Sequence, residues 1–154
     1  MKGQETEAEP YYLKYLEASR HQPTAYNHAA WALATRPDFK SLNPARAIAF
    51  AKKAVELAPK QGAYWNTLGV AHYRGGDWKA AVETLQKSME LRQGGDSFDW
   101  FFLAMAHWQL GEKDKAREWY DRAVQWMDKN QPSNEELHRF RTEAAELLGL
   151  NEKK

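Results

Sequence analysis

A skeleton of large, small and aromatic residues recurs at fixed spacing in this chain, and such a recurrence constrains the fold more than any single motif. It runs Trp65, Leu68, Gly69, Tyr73, Gly76, Trp78, Ala81, Leu85, and begins again 35 residues later as Trp100, Leu103, Ala104, Trp108, Gly111, Ala116, Tyr120. A period of this length belongs to a stack of like supersecondary units, none of which can bury its apolar face alone.

Within each unit the spacing is helical. Trp78, Ala81, Val82, Leu85 and Met89 fall at i, i+3, i+4, i+7 and i+11, and Ala116, Tyr120, Ala123, Val124 and Met127 do much the same. Each unit is therefore a pair of amphipathic helices joined by a glycine turn. Small residues at Gly69, Ala81 and Ala104 let paired helices approach closely, and aromatic residues fill the wedge between pairs. Trp65 and Leu68 are expected to be packing residues.

This pattern resembles the tetratricopeptide repeat family, over most of the chain. Residues 62–95 fit best, and residues 97–130 follow with one inserted residue near Gly94-Gly95. Residues 23–60 form a less regular first copy, whose second helix opens on Asn43 as cap and Pro44 at its first turn and carries Ala47, Ala54, Leu57 and Pro59. Trp31 lies 34 residues before Trp65 and suggests one register. The small pair Ala29-Ala30 favours another, in which Tyr26 takes the first aromatic slot and the turn from Thr35 to Leu42 holds about five extra residues, stopped by Arg36-Pro37-Asp38. The implied architecture is all-α, a right-handed α-α superhelix of seven or eight helices without strands, within a single domain spanning residues 1–154.

Flanking helices are expected on both sides. Residues 9–22 read either as the second helix of a preceding repeat or as a helix covering the first pair. Residues 133–149 read as a capping helix, opened by Ser133 or Asn134, with Leu137, Phe140, Ala144, Leu147 and Leu148 in one stripe and Arg139, Arg141, Glu143 and Glu146 largely off it. The stripe is expected to cover the second helix of the last repeat at Tyr120, Val124 and Met127.

Composition excludes several classes. With 43% hydrophobic and 13% aromatic residues among 154, the chain has ample material for one core. No run approaches a membrane span and Met1-Lys2-Gly3-Gln4-Glu5 is not a secretory leader, so a soluble, cytoplasmic protein is expected. Cysteine is absent, which removes disulfides, thiolate zinc sites and cysteine nucleophiles. A net charge of +1 gives no footprint for nucleic acid.

Catalysis finds no support either, and neither a cofactor nor a metal is expected. Gly75-Gly76-Asp77 and Gly94-Gly95-Asp96 read as inter-helix turns with helix caps, not phosphate loops. His72 and His107 occupy equivalent repeat positions and read as half-buried histidines in an aromatic slot; His28 faces the groove or the preceding helix, and His21 and His138 the surface. Asp96 and Asp99, with Ser97 between them, suggest acid chemistry, but Ser97 or Asp96 reads more simply as a helix cap.

In the family, the first helices of successive repeats line a concave groove that receives an extended peptide or a helix of a partner protein. Carried over by position, the lining is Asn27, His28 and Trp31, then Asn66, Thr67, Val70 and Tyr73, then Phe98, Phe101, Phe102, Met105 and Trp108. Asn66 is its polar anchor, able to donate to and accept from a ligand amide. One branch of the family clamps acidic chaperone tails with lysine, arginine and asparagine; the matching Asn27, Trp31, Thr67, Phe98 and Phe102 hold no cation, which rejects that ligand. Trp100-Phe101-Phe102 cannot all face one way on a helix, and each of Phe101, Phe102 and Met105 is open to a packing role instead. The resemblance thus implies a protein-interaction scaffold for an apolar or amphipathic segment, similar to three-repeat modules appended to bacterial multidomain proteins such as protein kinases. Self-association and helical-repeat RNA binding are the alternatives, the latter lacking a basic groove.

Overall fold

In the computed structural model, residues 22–150 are described; the expected helix over 9–22 falls almost wholly outside them. The elements are α1 (Pro23–Thr35), a 3-10 turn (Phe39–Ser41), α2 (Pro44–Leu57), α3 (Gly62–Arg74), α4 (Trp78–Leu91), α5 (Ser97–Gln109), α6 (Lys113–Asn130) and α7 (Glu135–Leu148). No strand occurs among the described residues. The fold is an all-α superhelix of stacked helix hairpins, α1/α2, α3/α4 and α5/α6, followed by α7.

Local chemistry sets the boundaries. Asn43, Asp77 and Asn134 each accept from a backbone N–H of the first turn of α2, α4 and α7, and Asp96 with Asp99 forms a reciprocal capping box on α5. The α3/α4 and α5/α6 turns need a residue at positive φ, supplied by Gly76 at +83° and Gly111 at +82°. Close approach within a hairpin is literal at Gly69, where a Cβ would lie 2.6 Å from Leu85 Cγ.

Helix α1 is joined to α2 by residues 36–43, eight residues, whereas the other two hairpins turn in three, 75–77 and 110–112. The five extra residues are folded into the 3-10 turn, with Asp38 accepting from Lys40 N and Asn43 N donating back to Leu33 O. Tyr26, Trp65 and Trp100 consequently share one slot and Ala30, Gly69 and Ala104 another, while Trp31 falls level with Val70 and Met105.

The tryptophan slot is not a core position. Trp65 and Trp100 are half-buried, and their indole N–H groups donate to the preceding inter-repeat loop, Trp65 to Pro59 O at 2.8 Å and Trp100 to Gly94 O at 3.0 Å. A buried indole needs a partner for its N–H, and leaving the ring at the rim provides one. One cluster of buried residues runs unbroken from Leu33, Ala34 and Ala47 through Val70, Leu85, Phe102 and Met127 to Phe140 and Leu148.

The placement of α7 departs from the expected cap. Tyr120 and Met127 are buried, and α7 does touch α6, but it packs chiefly on α5 and reaches across to α1 and α3. The stripe with Leu137, Phe140, Ala144 and Leu148 settles on the aromatic floor offered by the first helices, where Phe140 meets Trp31 and Phe102.

Candidate functional site

The first helices α1, α3 and α5 present one inner face, and α7 lies on it. At its centre Phe140, only 1% exposed, meets three rings edge-on: Trp31 at 5.9 Å between centroids, Phe98 at 6.5 Å and Phe102 at 4.8 Å. Trp31 also packs on Phe98 at 6.4 Å, and Phe102 on Tyr73 at 5.7 Å. Edge-to-face pairs of this kind contribute about 0.5–1.5 kcal/mol each beyond their buried area.

Polar contacts surround this aromatic box. Trp31 Nε1 donates to Glu136 Oε2 at 2.9 Å, and Arg139 Nη1 donates to Thr35 O at 2.8 Å. Arg74 makes a fork to Glu143, Nη1 to Oε2 at 2.5 Å and Nη2 to Oε1 at 2.9 Å, while its Nε donates to Ala34 O at 2.8 Å. The Arg74 side chain is 7% exposed and lies between the rings of Phe39 and Phe102, 5.3 Å from each centroid. A guanidinium this enclosed is tolerated only because each of its faces and forks has a partner.

The residues expected to line the groove divide into three groups. Trp31, Phe98, Phe102 and Tyr73 do meet on the inner face, under α7. Val70, Phe101 and Met105 are fully buried, Phe101 against Tyr120 at 5.9 Å inside its own hairpin, so they belong to the core. Asn66 and Thr67 are buried as well: Thr67 Oγ1 donates to Ala63 O, and Asn66 Nδ2 donates to Phe98 O at 3.0 Å and Asp99 Oδ1 at 2.9 Å. Asn66 therefore joins one repeat to the next, and both its N–H donors are occupied. The expected contrast between Trp65 and its neighbour is inverted, with Asn66 at 5% exposure and Trp65 half-exposed at the rim.

Asp99 is the acceptor at the centre of that junction, a role the sequence reading did not assign to it. Its carboxylate is fully buried and receives Asn66 Nδ2, Ser88 Oγ at 2.7 Å, Arg92 Nη1 at 2.9 Å and the Asp96 backbone N–H. Burial pushes the Asp99 carboxyl up, against the pull of Ser88, Arg92 and Asn66, with Asp96 adding to the push. An acid at the third position of a helix, seven residues after a loop arginine, was the available signal. The preceding junction lacks it: Tyr64 stands where Asp99 would, its hydroxyl paired with Thr24 Oγ1, and Asn27 Oδ1 is buried without a hydrogen-bond partner.

Beside the far end of α7 an open depression of about 240 Å³ remains between α1, α3 and α5, lined by Asn27, His28, Trp31, Asn66, Thr67, Arg92, Phe98 and Glu136. His28 is exposed there and Trp108 half-buried elsewhere, near Lys113. Neither histidine pair nor acid cluster forms a metal site among the described residues. His72 is half-buried and its imidazole is held below its ordinary value, first by burial and then by Lys52, against Asp77. His107 Nδ1 pairs with Glu112 at 3.2 Å. No described helix is long and apolar enough to cross a membrane.

Comparison with known proteins agrees with this architecture. Residues 60–129 match the tetratricopeptide repeat family. Two crystal structures of MamA superimpose on the chain: one at a TM-score of 0.62 and 20% identity, covering 88% of this chain and 84% of that one, the other at 0.61 and 23%, covering 90% and 70%. At those identities the likeness is one of fold. No curated protein matches the sequence.

Proposed function

We propose that this chain is a scaffold whose inner face recognises an amphipathic helical segment of a protein partner, a reading supported by the match of residues 60–129 to the tetratricopeptide repeat family, a helical-repeat architecture of protein–protein interaction. The observation that supports this reading is that the inner face already holds such a segment, α7, by an aromatic anchor and flanking polar contacts. Helix-in-groove recognition works through anchors spaced three, four and seven residues apart, and the face is built to receive them. Among the described residues no group of three or more His, Asp or Glu side chains is placed to hold a metal ion.

A photo-crosslinking amino acid placed at exposed His28, beside the opening, and at exposed Glu118, on the outer helix α6, tests the assignment in cells. Crosslinks from position 28 to a single helical segment of a partner, with none from 118, are expected. The reverse pattern would move recognition to the outer face.

A further inference from the structure

We infer that α7 holds the place of the partner, and that the partner is an amphipathic helix presenting a large aromatic residue with a carboxylate three residues after it. This rests on the inner face being the recognition surface. The contacts of α7 define the pattern: Glu136, Arg139, Phe140 and Glu143 occupy i, i+3, i+4 and i+7, one face of a helix. Phe140 enters the box of Trp31, Phe98 and Phe102. The remaining contacts are to groups that the inner face fixes in advance, the Trp31 indole N–H, the Thr35 carbonyl and the Arg74 fork.

Arg74 is the specificity-determining residue. Its Nε is tied to Ala34 O and its plane is held by Phe39 and Phe102, so the fork points at α7 whether or not a carboxylate is there. The Arg74 side chain is 7% exposed with α7 in place, so departure of α7 opens the fork to water, whereas an apolar helix seated there would bury the cation again without an anion, a cost that a carboxylate in the place of Glu143 removes. The face therefore rejects a purely apolar helix and selects an acidic one. Because α7 meets that demand itself, a rival helix binds only as α7 leaves.

The test titrates a fluorescein-labelled peptide of residues 133–150 into the full-length chain and into its Phe140→Ala and Glu143→Ala variants, following anisotropy, with circular dichroism to check the fold. Glu143→Ala removes no core atoms, so it carries the test if Phe140→Ala disturbs folding. Both variants are expected to bind the peptide at least about tenfold more tightly than the unaltered chain, because α7 no longer competes at full strength. The Glu143→Ala chain should prefer the peptide that keeps its glutamate over a Glu143→Ala peptide by about tenfold, and adding Arg74→Ala should erase that preference. Equal binding by all three chains overturns the displacement by α7. Binding without the glutamate preference overturns the acidic signature and leaves the inner-face reading standing. No binding by any chain overturns both.

Discussion

Two junctions in this molecule are each centred on a charge removed from water, and they differ in how they are anchored along the chain. Between the second and third hairpins, Asp99 is enclosed by Asn66, Ser88 and Arg92, which lie 33, 11 and 7 residues away in sequence. Between α7 and the inner face, Arg74 is answered by Glu143 across 69 residues, with Trp31–Glu136 and Thr35–Arg139 spanning 105 and 104. The first junction is internal to the repeat array and cannot open without separating hairpins. The second joins a terminal element to the face formed by α1, α3 and α5, so its opening would break contacts of α7 and none within a hairpin. Similar charge burial thus serves cohesion between hairpins in one place and, on the proposed displacement of α7, reversible closure in the other.

The largest effect should come from breaking the first junction. Asp99→Ala leaves Ser88 and one donor each of Asn66 and Arg92 without their acceptor, Asn66 keeping Phe98 O and Arg92 keeping Asp96, and is expected to destabilise the whole array by about 3–5 kcal/mol, seen as a lower midpoint of denaturant unfolding by circular dichroism. Loss confined to α7 would erase the distinction between the junctions. Phe140→Ala comes next, at about 3 kcal/mol, limited by the free energy of seating α7 because the helix can leave the rest folded. Hydrogen exchange should then rise in residues 135–148 while α3 to α5 stay protected. Trp31→Phe keeps a ring in the box and deletes only the indole donor to Glu136, so about 1 kcal/mol is expected, again localised to α7.

The smallest effect tests neither charge centre but the neutral background. His72 is held below 6.5 in the folded chain, first by burial, so the unfolded chain takes up the proton at higher pH than the folded one. Stability is then complete above about pH 6.5 and declines as acid passes below it. His72→Gln should flatten the thermal midpoint between about pH 5 and 7 by a degree or two, and an unchanged slope would assign the acid sensitivity to another group.

The hairpins were legible because their determinants are local. Gly69 and Ala104 mark close contacts, Asn43, Asp77 and Asn134 mark helix starts, and the Ala29-Ala30 pair located the long turn that brings Trp31 level with Val70. The inner face was only partly legible. Helical spacing places Asn66 and Phe101 one step from the tryptophan slot, but the depth of that step depends on how far the next repeat is rotated, which no residue in the window encodes. The stripe on α7 announced that one face is buried without stating against what, since its partners lie in the first half of the chain. Glu143 and Arg139 looked like solvated residues for the same reason.

The four residues Gln131 to Asn134 that connect α6 to α7 are the feature with the widest consequence. So short a tether keeps α7 at an effective concentration in the millimolar range or above, so that, on the proposed displacement, a rival in dilute solution would meet a site that is almost always filled. Its binding rate should climb with concentration only until it reaches the rate at which α7 lifts away, and then level off. On that proposal the ceiling on the speed of recognition would be set by the chain itself, whatever the abundance of the ligand.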